Sequence, residues 1–143
     1  MQGVSWFGQE GPGRLPYGLW ERGLASIMGF LADNNFNTVR IFLSMQNVYE
    51  NKPTPRHFDE DESPQLVGTD FLGLLRAITR EAAKHSILVL LANRQIRNGY
   101  PESWPGTWDG NWFDEEYQPD RILSVWSTLA KALCTEWNIM GVE

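Results

Sequence analysis

Thr38-Val-Arg-Ile-Phe-Leu43 is the stretch that decides the fold: a near-continuous apolar run that contains a single charge. Three more short apolar runs lie before and after it, at Val4–Phe7, Ile87–Leu91 and Ile139–Val142. These runs do not alternate apolar with polar residues, which is typical of parallel strands that are covered on both faces. The sequence therefore predicts four parallel strands.

Three segments between these runs repeat apolar residues at helical spacing. The third begins at the start signals Pro119 and Asp120. The three apolar faces consist of Leu24, Ile27, Met28 and Leu31, then Phe71, Leu74, Leu75, Ile78 and Ala82, then Ile122, Trp126, Leu129 and Leu133. Strands and helices thus alternate, so we predict an α/β fold with one strand at each end of the series.

The lengths of the loops help to distinguish a barrel from an open sheet. Long connections, 8–18, 44–68 and 93–118, follow the strands, whereas short turns, 33–37 and 84–86, follow the helices. This is the plan of a (β/α)8 TIM barrel, of which the chain would be the first half. An open doubly wound sheet also binds ligands at that edge, so both architectures stay open. We expect residues 1–143 to form a single unit with no second domain.

Composition excludes several functions. Twelve basic residues face 18 acidic ones, and a formal net charge of −6 disfavours binding to nucleic acid or to an anionic membrane surface. No apolar run approaches the roughly 20 residues that span a bilayer. The glycine cluster after the first run lacks nucleotide-binding spacing, and His57 and His85 have no partners at metal-ligand spacing. We expect no metal and no cofactor.

Polar residues near the ends of successive strands are the candidate site. Arg40 lies inside an apolar strand, where an unpaired charge is costly. It forms either a structural ion pair or a contact that orients an active-site carboxylate. Glu10 follows the first strand, and Asn93 and Arg94 follow the third. The carboxyl ends of parallel strands lie at one edge, so these groups should converge on one cleft.

Tryptophans in loops are candidates for contacts with sugar rings. Trp104, Trp108 and Trp112 lie in a stretch rich in Gly, Pro, Asp and Asn rather than in a periodic apolar run. Flat apolar rings with one polar group suit the faces of sugars, as they suit other amphipathic partners. We select Trp108 and Trp112 as stacking candidates. Trp6, on the first strand, is equally well explained by stacking or by core packing.

Several motifs together resemble the opening of a glycoside hydrolase family five endoglucanase. Gly3-Val-Ser-Trp-Phe-Gly8, Gly18-Leu-Trp20 and Asn37-Thr-Val-Arg-Ile41 are similar to the family's Gly-Val-Asn-Trp-Phe-Gly, Gly-Leu-Trp and Asn-Thr-Ile-Arg. Asn93-Arg94 resembles its His-Arg, and Asn111-Trp-Phe113 its Leu-Trp-Tyr. Asn138-Ile-Met-Gly-Val-Glu143 resembles the strand that leads into its Asn-Glu-Pro. The set covers nearly the whole chain in the family's order.

The resemblance implies a (β/α)8 glycosidase that hydrolyses a β-linked polysaccharide with retention, by means of two glutamates. In the family these glutamates follow the fourth and seventh strands. Glu143 matches a position several residues before the Asn-Glu-Pro, so it is not assigned as the acid/base. The resemblance therefore implies a fragment that stops before its catalytic glutamates and is inactive alone. It also implies an extracellular, monomeric parent protein.

Site residues follow from the same resemblance. Arg40 matches the arginine that contacts the nucleophile, and Arg94 matches the arginine of His-Arg. Asn93 replaces the histidine that hydrogen-bonds substrate, and its amide retains both a donor group and an acceptor group without titrating. Ser5 replaces the family's usual Asn, and Tyr17 stands where many members have His.

Two alternatives belong to other functional classes. A non-catalytic carbohydrate-binding protein on the same scaffold would retain the tryptophans and tolerate the change from His to Asn. An unrelated open α/β domain that binds a small ligand or a partner is the other alternative, and it predicts that 143 residues is the natural full length of a soluble monomer.

Overall fold

The computed structural model describes residues 1–99 and 112–143. Four strands, four α-helices and one 3-10 helix follow one another along these residues. In chain order they are β1 (Gly3–Trp6), α1 (Leu24–Asp33), β2 (Thr38–Ser44), α2 (Met45–Glu50), the 3-10 helix (Pro64–Leu66), α3 (Phe71–Lys84), β3 (Leu88–Gln95), α4 (Pro119–Leu133) and β4 (Ile139–Val142).

All four strands pair in parallel, in the order β1-β2-β3-β4. Sequential neighbours around one continuous parallel sheet are the arrangement of a (β/α)8 barrel, whereas a doubly wound sheet reverses its strand order. The α/β class and the first half of a TIM barrel are therefore confirmed, and the open doubly wound alternative is wrong.

The two faces of the sheet have different surroundings. Val39, Ile41 and Leu43 of β2 are buried in one apolar cluster with residues of α1, α3 and α4, and Val4 and Trp6 of β1 pack against that cluster. The register aligns Val4 with Val39 and Trp6 with Ile41, so these side chains share the helix-facing side. The opposite face, which we call the open face, carries Ser5, Arg40, Leu90 and Gly141 in one row across the four strands.

Helix α3 shows why the periodic pattern folds as predicted. The Asp70 carboxylate accepts a hydrogen bond from the backbone N–H of Gly73 at 2.7 Å, which caps the first turn. Its apolar residues fall on one side and are fully buried, among them Leu74, Leu75 and Ile78. Burial of a stripe of this kind supplies most of the stability of a helix in a protein.

The turns after the helices are short because single residues adopt the left-handed conformation. Asn35 follows α1 with φ 62° and Ser86 follows α3 with φ 57°. The buried Asn138, before β4, donates through Nδ2 to the carbonyls of Thr79 and Ile87 at 2.9 and 3.0 Å. Polar groups thus connect the helices and strands at the amino-terminal edge of the sheet.

Helix α2 is an element that the sequence analysis placed inside a loop. It spans only six residues, too few to show a clear helical period. It forms because Ser44, at the end of β2, accepts a hydrogen bond from the N–H of Asn47 at 3.2 Å. Strand β3 also extends beyond the predicted Leu91 to Gln95, which is aligned with Ser44 of β2.

We predict that Leu74→Ala lowers the free energy of unfolding by about 2–5 kcal/mol, because it leaves a cavity in the core between α3 and the sheet. Leu123→Ala on α4 is the matched control, since Leu123 is 63% exposed; its effect should stay within about 0.5 kcal/mol. Urea denaturation followed by circular dichroism measures both. Equal effects of the two substitutions would contradict the assigned core.

Candidate functional site

The carboxyl ends of β1 to β4 lie at one edge of the sheet because all four strands run in parallel. We call this the C-terminal edge; it is where the strands end at Trp6, Ser44, Gln95 and Val142. The predicted residues Glu10, Asn93 and Arg94 lie at or just below this edge, and Arg40 lies lower on β2, four residues before its end at Ser44.

Arg40 points from the open face to a carboxylate at this edge. Its Nε donates to Glu143 Oε2 at 2.8 Å and its Nη2 donates to Oε1 at 2.5 Å. Two parallel bonds to one carboxylate are the geometry that a guanidinium fork favours. Arg40 therefore reaches across β3 and binds a carboxylate that β4, two strands away in the sheet, delivers to the C-terminal edge.

Phe42 lies beneath two guanidinium groups. The ζ carbon of Arg40 is 4.6 Å from the centroid of the Phe42 ring, and that of Arg94 is 5.3 Å away. The Phe7 ring is 4.8 Å from the Phe42 ring and 5.1 Å from the Arg94 ζ carbon. Cation–π attraction holds planar cations on such rings. Phe42 belongs to the open face but is only 7% exposed, because the two guanidinium groups and the Phe7 ring cover it.

Glu10 is buried, and both of its carboxylate oxygens accept hydrogen bonds. Oε2 accepts a hydrogen bond from the Gly8 N–H at 2.7 Å, and Oε1 accepts from Arg94 Nη1 at 3.3 Å. Gly8 has φ 118°, and a Cβ at this position would lie 2.4 Å from the Leu15 carbonyl oxygen. Glycine is thus required where the chain turns so that its N–H meets the carboxylate.

Asn93 is half-buried on β3, with its backbone N–H donating to the Glu143 carbonyl at 2.8 Å. Its Oδ1 is buried and has no hydrogen-bond partner among the described protein atoms. The register aligns Asn93 with Leu43, on the helix-facing side. The side chains of Arg94 and Asn93 therefore have different surroundings, although the two residues are adjacent.

An amide network behind the site was missed by sequence analysis. Asn47 of α2 donates through Nδ2 to the carbonyls of Gln9 and Gly11, both at 2.9 Å, and accepts from Asn98 Nδ2 at 2.7 Å. Gln9 donates in turn to the carbonyl of Phe42 at 3.0 Å. The loops after β1 and β3 are thus joined through α2. Ser44, as an N-cap, was the one local signal for that helix.

The three predicted tryptophans differ in position. Trp6 lies on the helix-facing side, packs against the core, and donates from Nε1 to the Tyr17 carbonyl at 2.8 Å. Trp112 is 53% exposed and contacts Phe113 edge-on, with ring centroids 5.3 Å apart. Trp108 lies outside the described residues. The stacking roles of all three stay predictions, and Trp6 shares no face with Arg40.

Ion pairs surround the start of α4. Arg97 binds Asp114 at 2.9 Å and Glu116 at 2.5 Å. The pKa of Asp114 lies below its usual value. Partial burial alone would raise this pKa, but the hydrogen bonds from the N–H groups of Tyr117 and Glu116 and the charge of the Arg97 guanidinium outweigh the effect of burial. Burial, with nearby Glu116 and Glu50, raises the pKa of Tyr117 to about 12.

Within residues 1–99 and 112–143, no cluster of three His, Cys, Asp or Glu side chains is placed to hold a metal ion. In the same part of the chain, no helix has both the length and the apolar character needed to cross a membrane.

Cellulases are among the known proteins of similar sequence and fold. Over its whole length the chain is 24% identical to an endoglucanase of Paenibacillus polymyxa, and it spans 34% of that protein. An endocellulase of Pyrococcus horikoshii in complex with cellotetraose superposes on 99% of the chain with a TM-score of 0.83 and 27% identity. The chain matches no family model.

A third protein shares the fold alone. The catalytic domain of the major endoglucanase of Xanthomonas campestris pv. campestris superposes with a TM-score of 0.83 at 20% identity. The chain covers 35% of the Pyrococcus protein and 38% of the Xanthomonas domain, so it spans about a third of the length of these relatives. The chain is cellulase-like over its whole length, and the resemblance to the endoglucanases is confirmed.

We predict that Gly8→Ala lowers the free energy of unfolding by about 1–3 kcal/mol, because alanine is strained at this φ and its Cβ meets the Leu15 carbonyl. Gly13→Ala in the same loop is the control, since a Cβ there meets no atom within 4 Å. Thermal denaturation measures both. An alanine tolerated equally at the two positions would contradict the described turn.

The lowered pKa of Asp114 makes stability depend on pH. The folded pKa lies below the unfolded one, so the stabilisation is present above the unfolded value, about 3.9, and is lost as pH falls through the folded value. Asp114→Asn should lower the free energy of unfolding by about 1–3 kcal/mol at pH 7, and by less at pH 3. Exposed Glu115→Gln is the control. Urea denaturation at both pH values tests this; a constant difference would contradict it.

Proposed function

We propose that the chain forms β1 to β4 of an endoglucanase-type glycoside hydrolase and one wall of its saccharide cleft. In this proposal residues 1–143 form part of a single catalytic barrel that acts on a β-linked polysaccharide with retention. The Paenibacillus and Pyrococcus relatives, an endoglucanase and an endocellulase, support the class of reaction. An extracellular location is also proposed, on the sequence resemblance alone.

The observation that carries the proposal is the Arg40 guanidinium, which binds a carboxylate bidentately at the C-terminal edge. A retaining glycosidase needs an ionised carboxylate nucleophile held in one orientation. An arginine below the edge, fixed on Phe42, is suited to that task, since it stabilises and orients a carboxylate brought to it by another strand. The proposed role of Arg40 is therefore electrostatic support of the nucleophile.

Charge balance along this wall favours an uncharged substrate. Arg40 is paired with Glu143, and Arg94 with Glu10. The exposed remainder combines aromatic rings with hydrogen-bonding groups, which is the combination that neutral sugars require. Arg94, Trp108 and the exposed Trp112 are the proposed sugar contacts. Asn93 and Trp6 are weaker candidates, because their side chains lie on the helix-facing side.

The proposed mechanism requires two glutamates about 5 Å apart. By the family resemblance these follow the fourth and seventh strands, and the described residues contain four strands. We therefore expect no turnover from the 143-residue chain alone. Release of reducing ends from carboxymethylcellulose by the purified chain, assayed beside a known endoglucanase, would contradict this expectation.

Binding of cellotetraose tests the cleft itself. We predict that Trp112→Ala weakens binding about tenfold, which corresponds to loss of roughly 1.4 kcal/mol of ring stacking. Trp137→Ala is the matched control, because Trp137 is also exposed, at 69%, but precedes β4 at the opposite edge. Isothermal titration calorimetry measures both variants. Equal losses, or no loss in Trp112→Ala, would contradict the assigned wall.

A further inference from the structure

Glu10 differs from the other polar groups at the C-terminal edge because its carboxylate is scarcely exposed to a ligand and both of its oxygens already have partners. Its side chain is 10% exposed, and each carboxylate oxygen already accepts a hydrogen bond, one from Gly8 and one from Arg94. Its backbone carbonyl accepts from Gln95 Nε2 at 3.1 Å. A buried carboxylate with these partners is fixed in one position.

Arg94 is held on two sides but remains partly accessible. Glu10 binds Nη1, while the Phe7 and Phe42 rings lie within 5.3 Å of the guanidinium carbon. The Arg94 side chain is nevertheless 36% exposed at the end of β3. A guanidinium has five N–H donors in a rigid plane, and one of them binds Glu10. The donors that remain suit the hydroxyl and ring oxygens of a sugar.

We infer that Glu10 is a positioning residue, which holds the Arg94 guanidinium on the Phe7–Phe42 pair so that Arg94 contacts the saccharide. This inference rests on the proposed function and assigns the two members of the pair different roles. Pairing with the buried Glu10 carboxylate fixes the orientation of the cation, and the rings fix its plane. Glu10 then affects saccharide binding only through Arg94.

A purely structural role is the competing explanation. The Glu10–Arg94 pair also connects the loop after β1 with β3, and such a connection would contribute to stability alone. The two explanations differ in what happens to the arginine and to saccharide affinity when the charge of Glu10 is removed without a change of shape.

The first measurement is the NMR signal of the Arg94 Nε–H group in the 143-residue chain, assigned by its absence in Arg94→Gln. We expect a slowly exchanging, rigid signal in the wild type and a faster-exchanging, mobile one in Glu10→Gln. Glu21→Gln, at an exposed glutamate of the same loop region, is the control. A Glu10→Gln signal identical to that of the wild type would overturn the positioning role.

The second measurement is a double-mutant cycle on cellotetraose affinity. Glu10→Gln and Arg94→Gln should each weaken binding about tenfold, as expected for loss of one charge-assisted hydrogen bond. The double variant should bind no more weakly than Arg94→Gln alone. Further weakening by Glu10→Gln in the Arg94→Gln background would show that Glu10 contacts the sugar itself and overturn the inference. Loss of stability with unchanged affinity in both single variants would also overturn it.

A second substitution of Glu10, and the binding of cellotetraose by the wild-type chain, separate the positioning role of Glu10 from the proposed function. If Glu10→Gln does not fold, Glu10→Asp retains the charge and shortens the side chain, and the same loss of Arg94 order and affinity is expected. Failure of the wild-type chain to bind cellotetraose would count against the proposed function. The Nε–H signal would still decide whether Glu10 positions Arg94.

Discussion

The parallel, consecutive pairing of β1 to β4 is the constraint on which the rest of the structure depends. It places every strand's carboxyl end at one edge, and it leaves only short turns at the other. One face of the sheet is covered by the helices, so polar residues of the strands are confined to the open face and to the C-terminal edge. Arg40 and Arg94 reach the same Phe42 ring because of that register, although 54 positions separate them in sequence.

Placing two cations against apolar rings is costly unless each is paired, and the site meets this requirement in two ways. Arg40 has a carboxylate partner at the end of β4, two strands away, and Arg94 has one in the loop after β1. The second pair depends on the backbone, since Gly8 must adopt a positive φ to donate to Glu10. The result is an electrically balanced, hydrogen-bonding wall, consistent with an uncharged saccharide as ligand.

Much of the fold follows from the sequence because long amphipathic helices and near-continuous apolar strands leave strong periodic signals. The convergence of Glu10, Arg40 and Arg94 follows as well, since it needs only the strand ends. Helix α2 was missed because it depends on one cap and on the amide contacts of Asn47, not on a period. The side on which Trp6 lies and the pairing of Glu10 with Arg94 depend on register and on contacts between residues distant in sequence, which periodicity does not encode.

The central claim is that the C-terminal edge of this sheet is a saccharide-binding wall. The most direct test is ¹⁵N-edited NMR of the 143-residue chain titrated with cellotetraose, with the shift changes mapped onto the sheet. The account predicts that the largest changes fall on Arg40, Arg94 and Trp112. Changes confined to the opposite edge or to the helix-covered side, with the Arg40 and Arg94 side-chain signals unmoved, would contradict it.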